Sequence, residues 1–270
     1  MPAVAGAAHP QPSQVPPMIA PILLMPKVLA IAEEAAAVIM EHYRGGTTVA
    51  IKADSSPVTA ADEAGEAVIL KGLRALTPEL PIVAEEEVAQ GRLPEVGDRP
   101  FWLVDPLDGT KEFITKNGEF TVNIGLVQDG QPIMGVVLAP AKGLAWWGAL
   151  GQGACRREDG AVTAIQVRPR PAQGAVAVAS RSHRDAETDA WLKAQGITET
   201  VSAGSSLKFC LVAEAKADVY PRFGPTMEWD TGAGHAVLRA AGGRVTTTDG
   251  APFTYLKPSF RNPGFIAYGG

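Results

Sequence analysis

Asp105 and Asp108 flank Pro106-Leu107 and are followed by Gly109 and Thr110. Two carboxylates three residues apart around a rigid proline form a compact set of hard oxygen donors, suited to Mg²⁺. The Gly-Thr step offers backbone N–H groups to an anion where a strand end meets a helix start. Asp, Pro and Gly are also ordinary turn formers, so this segment alone reads as either a cation site or a surface turn.

Three further acidic segments shift that balance. Glu85 follows the apolar run Pro81–Ala84, although Glu85-Glu-Glu87 would also serve as a solvated loop. Asp230, in Glu228-Trp-Asp-Thr-Gly-Ala-Gly234, stands where a helix over 231–241 begins, a place for a ligand or an N-cap worth about 1 kcal/mol. Asp62 lies three residues after Thr59, the spacing of a capping box with Asp in place of the usual Glu or Gln. Gathering Glu85, Asp105, Asp108 and Asp230 without cations is costly, because buried like charges raise one another's pKa. Two Mg²⁺ ions about 3.5–4 Å apart would offset that cost, one activating a water and the other stabilising a leaving oxygen.

The elements that must position these residues follow from periodicity. Leu24, Val28, Ile31, Ala32, Ala35, Ile39 and Tyr43 give a helical rhythm over about 23–43, and Gly45-Gly46 ends it. Thr48–Lys52 reads as a short strand and Asp54–Pro57 as a turn. A second helix over about 60–76 turns Ala64, Ala67, Val68, Leu70, Leu73 and Leu76 inward. Strands are expected over 81–84 and 101–104, with a loop from Gly91 to Pro100 between them. A hairpin follows (121–127 and 132–138), then strands over 143–148 and 163–168 separated by a charged connection, Arg156–Gly160, read as a small insertion. The second half alternates strand and helix: strand 175–179, helix 185–195, strand 197–201, helix 205–215, strand 217–220 and helix 231–241. The expected fold is thus an α+β half over 23–175 carrying Glu85, Asp105 and Asp108, joined to a layered α/β half over 176–270 carrying Asp230. Residues 1–22, rich in Ala, Pro and Gln, read as a flexible extension.

Composition narrows the partners. The chain is 46% hydrophobic and 20% charged over 270 residues, which fits packed globular structure. A net charge of -5 without a Lys/Arg block argues against duplex nucleic acid but leaves room for a small phosphorylated substrate. Cys155 and Cys210 are the only cysteines, too few for a disulfide framework or a zinc cluster, which points to a reduced cytoplasmic setting. The apolar run 17–32 is interrupted by Pro21, Pro26 and Lys27, so no transmembrane span is expected.

With these motifs on the page, the chain resembles the inositol monophosphatase-like, lithium-sensitive, Mg²⁺-dependent phosphatases over roughly 25–268. Asp105-Pro-Leu-Asp-Gly-Thr110 is similar to the first family motif, and Trp229-Asp-Thr-Gly-Ala-Gly234 followed by Ala240-Ala-Gly-Gly243 to the second; Ser56-Pro-Val-Thr-Ala-Ala-Asp62 and Glu85-Glu86 add to the likeness. The resemblance implies the layered α-β-α-β-α sandwich of the sugar phosphatase type. It implies two or three Mg²⁺ ions held by Glu85, Asp105, the Leu107 carbonyl, Asp108 and Asp230. Thr110 and Asp62 would orient and deprotonate the attacking water, while Gly109 and Thr110 lend N–H groups to the phosphate.

Within the family the bacterial 3'(2'),5'-bisphosphate nucleotidases are the most similar, through Lys111-Glu112, Ser180-Arg-Ser-His183 and Gly204-Ser-Ser-Leu-Lys208. That likeness implies that His183, Ser205 and Lys208 meet the uncleaved phosphate or ribose, and that Arg222 lies on the base side. Glu85, Leu107, Asp108, Gly109, Thr110 and Asp230 would also touch substrate. The implied reaction is hydrolysis of the 3'-phosphate of adenosine 3',5'-bisphosphate, and also of 3'-phosphoadenylyl sulfate, in sulfur metabolism. Inositol monophosphatase or fructose-1,6-bisphosphatase activity is the alternative on the same fold, and a non-catalytic metal-stabilised scaffold a more distant one. A monomer or homodimer is expected, cytoplasmic, with peripheral contact at the inner membrane left open.

Overall fold

The computed structural model describes residues 20–46, 49–51, 57–180 and 185–270. The first helix, α1 (Pro21–Gly45), starts two residues inside the stretch read as an extension. Its opening Pro21 needs no N–H donor in the first turn, and the helix runs on through Pro26 rather than breaking there. Strands β1 (Val49–Ile51) and β2 (Pro57–Thr59) form a small antiparallel ribbon. Helix α2 (Ala60–Leu76) then lies against α1, close enough that a Cβ on Gly65 would stand 2.7 Å from Ile39 and one on Gly72 2.6 Å from Ile31. Its bounds match expectation, as does most of its inner face, with Leu70 and Leu73 buried and Val68 and Leu76 packed on the core; Ala67 is exposed instead, and Ala61, Gly65, Glu66 and Ile69 complete the buried stripe. Glycine and a buried glutamate are poor apolar markers, so counting hydrophobic residues misses part of that face.

The first sheet has seven strands in sequential order: β3 (Ile82–Ala84), β4 (Phe101–Asp108), β5 (Thr121–Gln128), β6 (Gln131–Ala139), β7 (Leu144–Ala149), β8 (Gly153–Glu158) and β9 (Ala161–Ile165). Only β3 and β4 run parallel; the rest is an antiparallel meander. Short helices α3 (Glu85–Ala89) and α4 (Thr110–Ile114) leave the ends of β3 and β4. Strand β4 is buried on both faces, Trp102 and Val104 toward α1 and α2, Phe101 and Leu103 toward the interior. That explains its unbroken apolar run. It extends four residues past the expected end, through Pro106, with a register shift between Asp105 and Asp108. The β5–β6 turn shrinks to Asp129-Gly130, both at positive φ, as a two-residue hairpin demands.

Most of Arg156–Gly160 is strand rather than a connection between strands. Arg156, Arg157 and Glu158 belong to β8, and Asp159-Gly160 alone makes the turn into β9. Charges here mark a strand near the sheet edge, where Arg156 reaches Glu214 at 2.9 Å and Arg157 pairs with Glu33.

The second sheet takes the order β11 (Glu199–Ala203), β10 (Val176–Ser180), β12 (Val219–Arg222), β16 (Phe265–Tyr268) and β14 (Arg244–Thr247). Helix α5 (Ala186–Ala194) covers its outer face through Leu192. Helices α6 (Leu207–Ala213) and α7 (Glu228–Ala240) fill the space between the two sheets, and β13 (Thr226–Met227) and β15 (Arg261–Asn262) form a short ribbon at the α7 entrance. The layers are therefore α1/α2, seven-stranded sheet, α6/α7, five-stranded sheet and α5, as the resemblance implied. Both cysteines are free, Cys210 buried and Cys155 partly so. Among the described residues no helix is long and apolar enough to cross a membrane.

A row of glycines seats α7. Gly125, Gly135 and Gly148 are neighbours across β5, β6 and β7. A Cβ on Gly135 would stand 2.3 Å from the Ala233 carbonyl oxygen, and one on Gly148 2.6 Å from the Ala240 Cβ. Gly135→Ala is therefore expected to destabilise by about 1–3 kcal/mol or more through overpacking, lowering Tm by roughly 2–12 °C. Gly45→Ala meets nothing within 4 Å and should leave urea unfolding unchanged or slightly improved. Equal midpoints for the two variants would contradict this packing.

Candidate active site

The site forms where β3 and β4 end, opposite the first turns of α2, α6 and α7. Glu85 is the first residue of α3, one step beyond the Ala84–Val104 pair, so the parallel pairing carries it alongside Asp105. The Asp105 carboxylate accepts the Leu107 N–H at 2.9 Å, which fixes the corner around Pro106. Gly109 then takes φ 96°, a left-handed conformation that favours glycine, and becomes the N-cap residue of α4. A Cβ there would lie 3.2 Å from the Glu119 carbonyl oxygen.

Asp230 arrives from the second half, at a different position from the one expected. Helix α7 begins at Glu228, and Asp230 is its third residue, accepting the Met227 N–H at 2.7 Å. It closes the helix start from within rather than capping it. Asp62 fills the third position of α2 in the expected capping box: its Oδ2 accepts from Thr59 N at 2.8 Å and from Thr59 Oγ1 at 2.7 Å. Its other oxygen, Oδ1, accepts from Thr110 Oγ1 at 3.3 Å. Residues 48 apart in sequence thus meet as a hydroxyl–carboxylate pair.

Electrostatics tie the acids together. Burial holds the Asp105 carboxyl well above the usual carboxylate range, and Glu85, Asp108, Asp230 and Asp62 push it further in that order. Asp230 is raised by burial and then by Asp108 and Glu85. Asp108 is also raised by burial, against the opposing charge of Lys208 and a hydrogen bond from Ser206. Among the described residues no three His, Cys, Asp or Glu side chains converge closely enough to hold an ion as they stand. Mutual repulsion of buried carboxyls favours such separation, and a divalent cation would offset it. The donors are all hard oxygens, the right chemistry for Mg²⁺. Asn123, paired with Asp105 across the sheet and 1% exposed, has no hydrogen-bond partner at either side-chain polar atom among the described residues, so it adds an unspent oxygen donor beside the acids.

The loop into α6 crosses from one half to the other. Gly204 N–H donates to Glu119 at 2.9 Å, Ser205 Oγ meets Thr121 Oγ1 at 2.7 Å, and Ser206 Oγ reaches Asp108 Oδ2 at 3.1 Å and the Asp230 carbonyl at 2.8 Å. Ser205 holds φ 48°, a left-handed backbone costing about 1–2 kcal/mol in a non-glycine residue; the moorings offset it. Lys208 donates to the Ser205 carbonyl at 2.5 Å, and burial lowers its pKa to about 8. Arg222 closes the far side, its guanidinium on the Gly224 and Pro225 carbonyls, both at 3.2 Å. Burial works to raise Asp185, the N-cap of α5, but hydrogen bonds from Thr188 and then the Arg222 charge lower it on balance.

Hydrogen bonds join Thr110 to Asp62 and Ser206 to Asp108 and Asp230, and Glu85, Asp105, Asp108, Asp230, Lys208 and Arg222 are linked through their charges, beside the Leu107–Thr110 corner and the Ser205 loop. His183 and Ser56 lie outside the described residues. Ser206, Asn123, Glu119 and Thr121 were not singled out from sequence. Ser206 stood inside the quoted Gly-Ser-Ser-Leu-Lys segment, and a second hydroxyl beside Ser205 was the available signal. Asn123 offered none, being a lone amide in an apolar strand.

The fold and site define an acidic, two-sheet phosphatase-like architecture, and comparison with known proteins agrees. The chain belongs to the inositol monophosphatase family, whose model matches residues 25–264. It is 50% identical over 245 residues to the 3'(2'),5'-bisphosphate nucleotidase CysQ of Escherichia coli (strain K12), covering 90% of this chain and 98% of that protein. Among solved structures it resembles CysQ from Bacteroides thetaiotaomicron, with 39% identity and TM-score 0.77 over 93% of this chain and 98% of that one. An inositol monophosphatase from Anabaena superposes with TM-score 0.74 at 29% identity, over 92% and 91% of the two chains.

Proposed function

We propose that this chain is a 3'(2'),5'-bisphosphate nucleotidase that removes the 3'-phosphate of adenosine 3',5'-bisphosphate by attack of water, giving AMP and phosphate. The observation that carries this reading is the 50% identity with the Escherichia coli nucleotidase over nearly the whole of both chains. Two basic groups near the acids support it: Lys208, whose charge acts on Asp108 and Asp230, and Arg222, whose charge acts on Lys208 and Asp230. 3'-Phosphoadenylyl sulfate, carrying the same 3'-phosphate, is the second substrate. The enzyme acts in the cytoplasm as a monomer or homodimer, its halves 23–175 and 176–270 meeting at the cleft.

Two or three Mg²⁺ ions would be held by Glu85, Asp105, the Leu107 carbonyl, Asp108 and Asp230. Bound there, Mg²⁺ supplies Lewis-acid stabilisation of phosphoryl oxygens and lowers the pKa of water. Thr110 uses its one hydroxyl proton on Asp62 Oδ1, leaving its lone pairs to accept from the attacking water. Asp62, with Oδ2 pinned by Thr59, holds that hydroxyl in direction and receives the proton. The Gly109 and Thr110 N–H groups face the phosphate at the α4 start. Ser205, Lys208 and Arg222, with His183, bind the uncleaved phosphate, the ribose and the base.

Phosphate release with Mg²⁺ from adenosine 3',5'-bisphosphate, inositol 1-phosphate and fructose 1,6-bisphosphate, measured side by side, tests the reading. The bisphosphate nucleotide is expected to have the highest kcat/KM. A higher value for inositol 1-phosphate would transfer the chain to the family's sugar-phosphatase side.

Lys208→Ala is expected to raise KM for the bisphosphate about tenfold or more, because a charge-assisted contact is worth about 1.5–3 kcal/mol. A substrate with a single phosphate should be affected far less. Lys208 also counters Asp108, so equal damage to both substrates would assign it to the acidic cluster instead.

A further inference from the structure

Glu66 is a buried acid with no part in the chemistry above. It lies one helical turn after Asp62 on the same face of α2, 3% exposed. Among the described residues its carboxylate pairs with no cation. Instead Oε2 accepts the Glu86 N–H at 2.8 Å and Oε1 the Glu87 N–H at 2.9 Å. Those N–H groups belong to the first turn of α3, which starts at Glu85. Ala84, the residue in the N-cap position, makes no side-chain cap. The cap for this five-residue helix therefore comes from another helix, across the fold. Burial pushes the Glu66 carboxyl up to about 7 even against these two hydrogen bonds, so keeping an acid here is costly. A short helix on a surface loop could be capped locally at less expense.

We propose that Glu66 is a positioning residue for the metal site, its carboxylate clamping the first turn of α3 to α2 so that Glu85 is held toward Asp105. This rests on the reading of Glu85 as a Mg²⁺ ligand. One helix, α2, then sets two parts of the site at once. Asp62 faces Thr110 from its first turn, and Glu66 fixes the direction of Glu85 from its second. Glutamine at position 66 would keep the size but leave one strong acceptor where two are used, since the amide nitrogen can only donate. The Glu86 or Glu87 N–H would lose its partner, and Glu85 its fixed direction. Partners of ligating groups typically affect metal affinity about 10–100-fold.

The experiment titrates Mg²⁺ into wild type, Glu66→Gln and Glu85→Gln by calorimetry, with urea unfolding of each variant without Mg²⁺. Glu66→Gln is expected to weaken Mg²⁺ binding about tenfold or more, and to raise the Mg²⁺ concentration giving half-maximal rate while kcat at saturation changes much less. Unchanged affinity in Glu66→Gln with reduced affinity in Glu85→Gln would overturn the positioning role and leave the ligand reading intact. Unchanged affinity in Glu85→Gln would show that the ligand reading itself had failed. Should Glu66→Gln not fold, hydrogen exchange on wild type decides. By reciprocity, saturating Mg²⁺ must slow exchange at the Glu86 and Glu87 amides. Equal exchange with and without Mg²⁺ would overturn the proposal.

Discussion

Asp108→Asn is expected to lower kcat/KM by about two orders of magnitude or more, a loss of some 2.7 kcal/mol in transition-state stabilisation. The amide has nearly the carboxylate's shape, and its oxygen can still accept from Ser206 Oγ, which now lies 3.1 Å from Asp108 Oδ2. What disappears is the charge that would hold a hard cation. Stability should move the other way. Burial raises the Asp108 pKa in the fold, with Glu85 and Glu112 adding to it. An acid whose folded pKa exceeds its unfolded value withdraws stability as pH rises through the interval between the two. At neutral pH without Mg²⁺, removing that ionisation should leave Tm equal to or above wild type, despite Lys208 losing a counter-charge. The increase in Tm on adding Mg²⁺ should shrink. Activity near wild type at saturating Mg²⁺ would remove Asp108 from the ligand set, and a large fall in Tm without Mg²⁺ would mark it as structural.

Local chemistry explains what the sequence made legible. Thr59 and Asp62 are three residues apart, and a capping box at that spacing needs nothing from the rest of the fold. Asp105 to Thr110 are likewise contiguous, and the strand-to-helix corner they build is set by Pro106 and Gly109. The α1 and α2 spans followed from apolar periodicity. What escaped depends on partners distant in sequence. Ser206 reaches Asp108 across 98 residues, and Glu66 reaches Glu86 across 20. Gly125, Gly135 and Gly148 matter because pairing places them side by side beneath α7; in the sequence they are isolated glycines in strands. Misplacing Arg156–Gly160 has a related cause: a charged run reads as solvent-exposed loop, whereas here its arginines find acidic partners from β8. The start of α7 moved from Thr231 to Glu228, where Asp230 closes the first turn by accepting the Met227 N–H.

That shift matters for the chemistry. As the third helical residue, Asp230 spends one oxygen on the Met227 N–H. Buried beside it, Glu228 accepts the Leu256 and Lys257 N–H groups and the Lys257 ammonium. The two acids of one helical turn therefore divide the work, Glu228 anchoring the 254–257 segment and Asp230 facing the cleft. Asp62 divides its own oxygens similarly, one for the helix start and one for Thr110. Helix starts are thus used twice here, for folding and for aiming a carboxylate.

Thr110→Ala carries the second large effect. The hydroxyl is the link between Asp62 and the attacking water, so its loss should lower kcat by about 10²-fold or more, the usual range for a proton-transfer group being about 10²–10⁴. Mg²⁺ affinity should change less than threefold by calorimetry, about 0.65 kcal/mol at most, because the hydroxyl gives its one proton to Asp62 and touches the ligand set only through the longer approach to the Leu107 carbonyl, at 3.4 Å. Thr110→Ser restores a hydroxyl with one more rotational freedom and should recover much of the rate. Alanine also preserves the α4 start, where Gly109 and not Thr110 makes the turn, so Tm should hold. Two results would remove Thr110 from the proton path: weakened Mg²⁺ binding with a normal rate once Mg²⁺ saturates, or serine performing no better than alanine. The first would make it a support for the Leu107 carbonyl, the second a residue kept for its methyl group.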